Sequence, residues 1–150
     1  MLFRVKDENG LDSDRYLEMI TAFVQSIPYE DHPGGAPPKF PVETVAERTG
    51  DCDDKSLLLA ALLSRAGYDV ALLNFIENSH MGVGIAADTG TYGSTGYAFI
   101  ETTDYNFVGG RPVITWQPAS GITRRPTCDQ CVHNDSGALR QELRRPYIRP

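Results

Sequence analysis

Three side chains in this sequence have the types that nucleophilic acyl chemistry needs: a thiol at Cys52, an imidazole at His80 and a carboxylate at Glu101. Such chemistry takes a nucleophile, a base that accepts its proton, and a group that orients the base. Cys52 stands in Gly50-Asp51-Cys52-Asp53-Asp54, directly ahead of an apolar stretch, which predicts a place in the first turn of a helix. Two effects meet there. Unpaired N–H groups and the positive end of the helix dipole favour a thiolate. Asp51, Asp53 and Asp54 oppose it unless they turn to solvent, and a dipole contribution of about 0.3–1 kcal/mol does not outweigh three carboxylates. A cationic neighbour is required, and a histidine would serve. A small buried cysteine with a purely structural role leaves the same text.

His80 opens the segment His80-Met81-Gly82-Val83-Gly84-Ile85. Strand alternation puts Val83 and Ile85 on one face, and His80, Gly82 and Gly84 on the other. A hairpin symmetric about Gly90-Thr91 would set Gly84 opposite Tyr97, Gly82 opposite Phe99 and His80 opposite Glu101. Directly opposed residues have Cβ atoms about 4.5–5.5 Å apart. Glu101 then accepts a hydrogen bond from the imidazole, fixing its tautomer. The competing reading is a half-exposed histidine beside a surface glutamate.

The elements that must position these groups can be read in order. Residues 1–10 are polar, end in Asn9-Gly10 and are expected to form a frayed lead-in. Tyr16, Leu17, Ile20, Phe23 and Val24 follow helical spacing from Ser13 or Asp14 to about Gln25. A Pro/Gly-rich loop follows from Tyr29 to Pro41, and it predicts an exposed His32. Val42–Glu47 adds a helical turn or two, with Glu43 and Glu47 as structural contacts. From Cys52 or Asp53 to Ala66 the text is apolar nearly all round, so this helix belongs at the centre, and Gly67 closes it. Strands are predicted at 68–76, 80–87, 97–102 and 112–116. Helices followed by antiparallel strands make an α+β domain over residues 1–120. Residues 121–150 read as a basic, weakly ordered or partly helical tail.

Composition narrows the classes. The net charge of −6, from 20 acidic and 14 basic side chains, argues against a nucleic-acid partner. No apolar run approaches the roughly 20 residues that span a bilayer, so no membrane partner is expected. Three cysteines are too few and too odd in number for a disulfide framework. Cys128, Cys131 and His133 resemble half of a zinc site, which Asp129, Asp135 or a second copy would have to complete. The start lacks a signal-peptide core, which places a full-length chain of this kind in the cytoplasm and leaves an excised domain open.

Gly50-Asp51-Cys52-Asp53-Asp54-Lys55-Ser56 with its Leu-rich helix, Gly67-Tyr68-Asp69-Val70, His80 and Tyr97-Ala98-Phe99-Ile100-Glu101-Thr102-Thr103 together resemble the transglutaminase-like superfamily of papain-related thiol enzymes. The resemblance is to its prokaryotic branch of transglutaminase-like cysteine peptidases, and it covers roughly residues 14–110. It implies a transglutaminase-like core in which a central helix carrying the cysteine packs on an antiparallel sheet. It implies a triad of Cys52, His80 and Glu101; the common acid is aspartate, which makes Asp104 the substitute. It implies acyl transfer from a peptide or protein substrate through a thioester, ending in hydrolysis or cross-linking, with no cofactor. The Cys52 N–H and Gln25 would be the oxyanion donors, because papain-like enzymes carry a glutamine upstream of the nucleophile. Two rivals stand beside this reading: a catalytically silent binding or assembly module of the same fold, and a small metal-binding protein organised by the tail.

Overall fold

The computed structural model describes residues 2–32 and 36–110. The strand expected at 112–116, the boundary at 120, the basic tail, and the Cys128, Cys131 and His133 trio lie outside the described residues. The described elements are α1 (Leu2–Asn9), α2 (Ser13–Gln25), α3 (Pro41–Glu47), α4 (Cys52–Arg65), β1 (Val70–Phe75), a 3-10 turn at Ile76–Asn78, β2 (His80–Ala86) and β3 (Tyr97–Ile100). The strands form one antiparallel sheet in the order β1-β2-β3. The architecture is α+β, helices first and sheet after. None of the described helices is long and apolar enough to cross a membrane.

Helix α4 is the pivot. Its side chains Leu58, Leu59 and Leu63 are buried in one cluster with Tyr16, Leu17, Ile20 and Val24 of α2 and with Val83, Ile85, Ala98 and Ile100 of the sheet. Each such aliphatic side chain contributes roughly 1.5–3 kcal/mol on leaving water, so the packing that fixes α4 also fixes its first residue, Cys52. Both ends of α4 are capped. Asp51 Oδ1 accepts the N–H groups of Asp53 at 2.9 Å and Asp54 at 3.1 Å, supplying two of the partners a first turn lacks. Gly67 takes φ +94° and turns the chain out, with Tyr68 N–H donating to Leu63 O at 3.1 Å.

Two expectations are corrected. Residues 2–9 are helical rather than frayed: Arg4 pairs with Glu8 one turn on at 3.2 Å, Leu11 N–H donates to Lys6 O, and the Lys6 ammonium lies 5.1 Å from the centre of the buried Tyr16 ring. The β2–β3 register is also shifted by two residues, pairing Gly84 with Phe99 and Ala86 with Tyr97. The cause is the connecting loop, which is not symmetric. On its β3 side Thr95 N–H donates to Tyr92 O at 3.2 Å and Tyr92 N–H to Tyr97 O at 2.7 Å, drawing residues 92–97 into a compact turn. A slip of two preserves the faces. Continued by one further step on this face, the register sets Glu101 opposite Gly82 and diagonal to His80, a separation that long side chains still bridge.

Candidate active site

Cys52 is the first residue of α4 and is largely buried. His80 is the first residue of β2, and Glu101 follows directly on β3. The core that packs α4 on the sheet brings these ends together. His80 Nε2 lies 3.1 Å from Glu101 Oε2. Cys52 Sγ lies 4.0 Å from the carbonyl oxygen of Ser79, the residue before His80, and the Cys52 side chain is the first cause of a His80 pKa raised to about 9. The bond to Glu101 adds to the rise and burial opposes it.

Glu101 is fully buried. Its Oε1 accepts from Thr102 N at 2.9 Å, Thr103 N at 3.1 Å and Thr103 Oγ1 at 2.8 Å. Burial works to raise its pKa, but the bonds from His80 and Thr103 outweigh burial and lower it to about 2. The carboxylate therefore stays charged and fixed while facing the ring. Asp104 is exposed and accepts from Tyr105 N, so Glu101 rather than Asp104 meets the histidine.

Gln25 is buried at the end of α2, and its Nε2 donates to Glu101 O at 2.9 Å and Asn106 O at 3.0 Å. Both amide protons are thus committed to main-chain carbonyls. The expected oxyanion donor is instead a clamp on the segment that carries Glu101. The N–H of Cys52, by contrast, stands at the first helical position, where no acceptor exists within the helix.

The three aspartates around the sulfur divide their work. Asp51 caps the helix. Asp54 is fully buried; it accepts from Lys39 N at 2.6 Å and Asp51 N at 3.4 Å, and its Oδ2 lies 2.6 Å from His32 Nε2. That contact corrects the expected exposed His32: its ring is half-buried, and the bond to Asp54 raises its pKa against the opposing effect of burial. Asp53 alone turns to the thiol, with Oδ1 at 3.4 Å from Sγ. His32, Asp51 and Asp54 offer donor atoms within 4.8 Å of one another, a spacing compatible with a metal ion. Each is already engaged by protein groups.

Several contributors escape a reading of residue types alone. Lys55 is completely buried, its ammonium donating to Ile27 O at 2.7 Å and Gln25 O at 3.4 Å, which ties α4 to the end of α2. Burial lowers its pKa, and the charges of Glu101 and Asp104 oppose that. Ser56 Oγ donates to Met81 O at 3.1 Å and lies 3.1 Å from Thr102 Oγ1, joining α4 to β2 and to the Glu101 segment. Lys55 and Ser56, placed directly ahead of the apolar Leu57–Leu63 run, were the available signal. Phe75 stacks on His80 with ring centres 6.1 Å apart and meets Phe99 edge-on at 5.6 Å. Phe99 lies over Gly82, where a Cβ would overlap its ring. The glycines of this face are covered by side chains of the chain itself, Gly82 by the Phe99 ring and Gly84 by Leu73 and the Cβ of Tyr97.

The arrangement sets a buried thiol beside the start of β2, where the His80 imidazole is held by a fixed carboxylate. No protein-family model, no curated protein and no solved structure matches this chain.

Proposed function

We propose that this chain is a thiol-dependent acyl-transfer enzyme of transglutaminase-like, papain-like architecture, acting on a peptide or isopeptide amide of a peptide or protein substrate. The observation that carries the reading is the His80–Glu101 pair at 3.1 Å, its acid buried and anchored by three donors, with Cys52 Sγ 4.0 Å from the carbonyl of the preceding Ser79. In the proposed cycle His80 holds the proton taken from Cys52, as the imidazolium that its pKa of about 9 favours at neutral pH, and Sγ attacks the amide carbonyl carbon as the thiolate. The Cys52 N–H is in position to donate to the oxygen that gains charge. The C–N bond then breaks, His80 returns its proton to the leaving amine, and a thioester remains. Water or a second amine takes the acyl group, giving hydrolysis or cross-linking. Glu101 keeps the His80 tautomer correct throughout and stabilises the imidazolium. No step requires a cofactor.

A peptide-amide and activity-probe screen tests this on wild type, Cys52→Ala and Cys128→Ala. The reading requires labelling and turnover that vanish in Cys52→Ala and persist in Cys128→Ala. Labelling that survives the first and vanishes in the second assigns the chemistry to the other sulfur. The absence of any Cys52-dependent turnover favours the silent module of the same fold.

A further inference from the structure

The carboxylate of Asp53 is the one acidic group at the start of α4 that the fold does not use. Asp51 holds two amide N–H groups, and Asp54 holds two amides and His32. Asp53 is half-buried, and its carboxylate meets the Cys52 thiol at 3.4 Å. Among the described residues no lysine, arginine or histidine pairs with it. The nearby cations have other duties. His32 is held by Asp54, Lys39 by Glu47 at 2.8 Å, and Lys55 by main-chain carbonyls. Tyr29 donates to Asp31 at 2.7 Å, and burial first, then that bond and the charges of Cys52, Asp31 and Asp51, raise its pKa.

A half-buried carboxylate against a nucleophile works against the anion that the nucleophile must become, unless a cation arrives with the substrate. We propose that Asp53 is a specificity-determining residue that takes a cationic side chain, lysine or arginine, carried by the substrate beside the acyl group under attack. This rests on the acyl-transfer reading for its biological meaning, but its charge preference is a property of the Cys52 surroundings alone. Pairing with the substrate cation neutralises Asp53 when the sulfur turns anionic, so a cationic substrate both docks and eases the proton transfer to His80. Neutral and acidic peptides lack this compensation.

The test uses the full chain and three small methanethiosulfonates that differ in charge: one with a trimethylammonium group, one neutral methyl reagent and one with a sulfonate. Rates of modification are read at Cys52 by peptide mapping, so Cys128 and Cys131 do not interfere. Wild type should react fastest with the cation and slowest with the anion. Asp53→Asn should lower the cation-over-anion ratio by about tenfold, the weight of one unit charge felt by reagents of opposite sign across several ångströms of water. Asp31→Asn should change it less, and added salt should compress the wild-type ratio. A ratio near one in wild type, a ratio unchanged by Asp53→Asn, or no modification of Cys52 by any reagent overturns the proposal. A preserved charge preference without turnover of any peptide removes only the acyl-transfer reading. Turnover without charge preference removes only the role of Asp53.

Discussion

Replacing Glu101 by glutamine changes one atom and should reverse the histidine. In the native chain Oε1 of Glu101 is fixed by Thr102 N, Thr103 N and Thr103 Oγ1, and Oε2 faces His80 Nε2 at 3.1 Å. A glutamine at 101 keeps its carbonyl oxygen with the three donors, so its NH₂ group faces the ring. Nε2 must then accept, which the imidazolium that a pKa of about 9 gives the native chain at pH 7 cannot do, so the ring is driven to its neutral Nδ1–H form and no longer supports a thiolate as a cation. Loss of a nearby opposite charge is worth roughly 1–3 pKa units, so alkylation of Cys52 by iodoacetamide at pH 7 should slow by about 10–10³-fold through the smaller thiolate fraction. Removing one partner of a buried ion pair costs roughly 3–5 kcal/mol. The three retained bonds hold the expected loss of stability in Glu101→Gln to about 1–3 kcal/mol. Alkylation followed by mass spectrometry and a thermal melt reads both quantities. A folded Glu101→Gln protein whose Cys52 reacts within twofold of the wild-type rate would refute the tautomer argument.

Other outcomes follow from the same geometry. The His80 pKa is raised from 6.5 to about 9, so its contribution to stability is complete below about pH 6.5 and is lost as pH rises through 9. That of Glu101 is lowered from 4.5 to about 2, so its contribution is complete above pH 4.5 and is lost as pH falls through 2. Denaturant titrations of wild type and His80→Gln should therefore converge at alkaline pH and differ most near pH 5–6. Gln25→Leu removes two buried hydrogen bonds and should cost about 1–3 kcal/mol, measured by urea unfolding; an unchanged midpoint would contradict the clamp role. Gly82→Ala puts a Cβ into the Phe99 ring and should destabilise by about 1–3 kcal/mol, whereas a neutral melt would show that the aromatic packing beside His80 is loose.

Much of the scaffold was legible because it rests on local rules. The apolar run after Asp51 and the glycine at 67 mark α4 to within a residue, and the switch to alternating text at residues 70–86 marks β1 and β2. The pairing of His80 with Glu101 was legible through strand face, and the place of Cys52 in the first turn of α4 through the caps around it. The register was not, because it depends on hydrogen bonds inside the 87–96 loop, which strand alternation does not encode. A slip of two kept Glu101 on the correct face, and the length of its side chain closed the diagonal. The role of Gln25 was hidden for another reason. A glutamine has two amide protons, and which carbonyls receive them is decided by tertiary packing of the 101–106 segment. His32 was misread from loop composition, since nothing local shows that Asp54 is buried beneath it.

The account stands on a proton shared between Cys52 and His80. Nitrogen-detected NMR titration of His80, in wild type and in Cys52→Ala, tests this most directly. The Cys52 side chain is the first cause of the raised value, so the imidazole should titrate near pH 9 in wild type and distinctly lower in the variant, held up there by Glu101. Identical titration curves in the two proteins would show that the thiol and the imidazole are not in contact, and the proposed chemistry would fall.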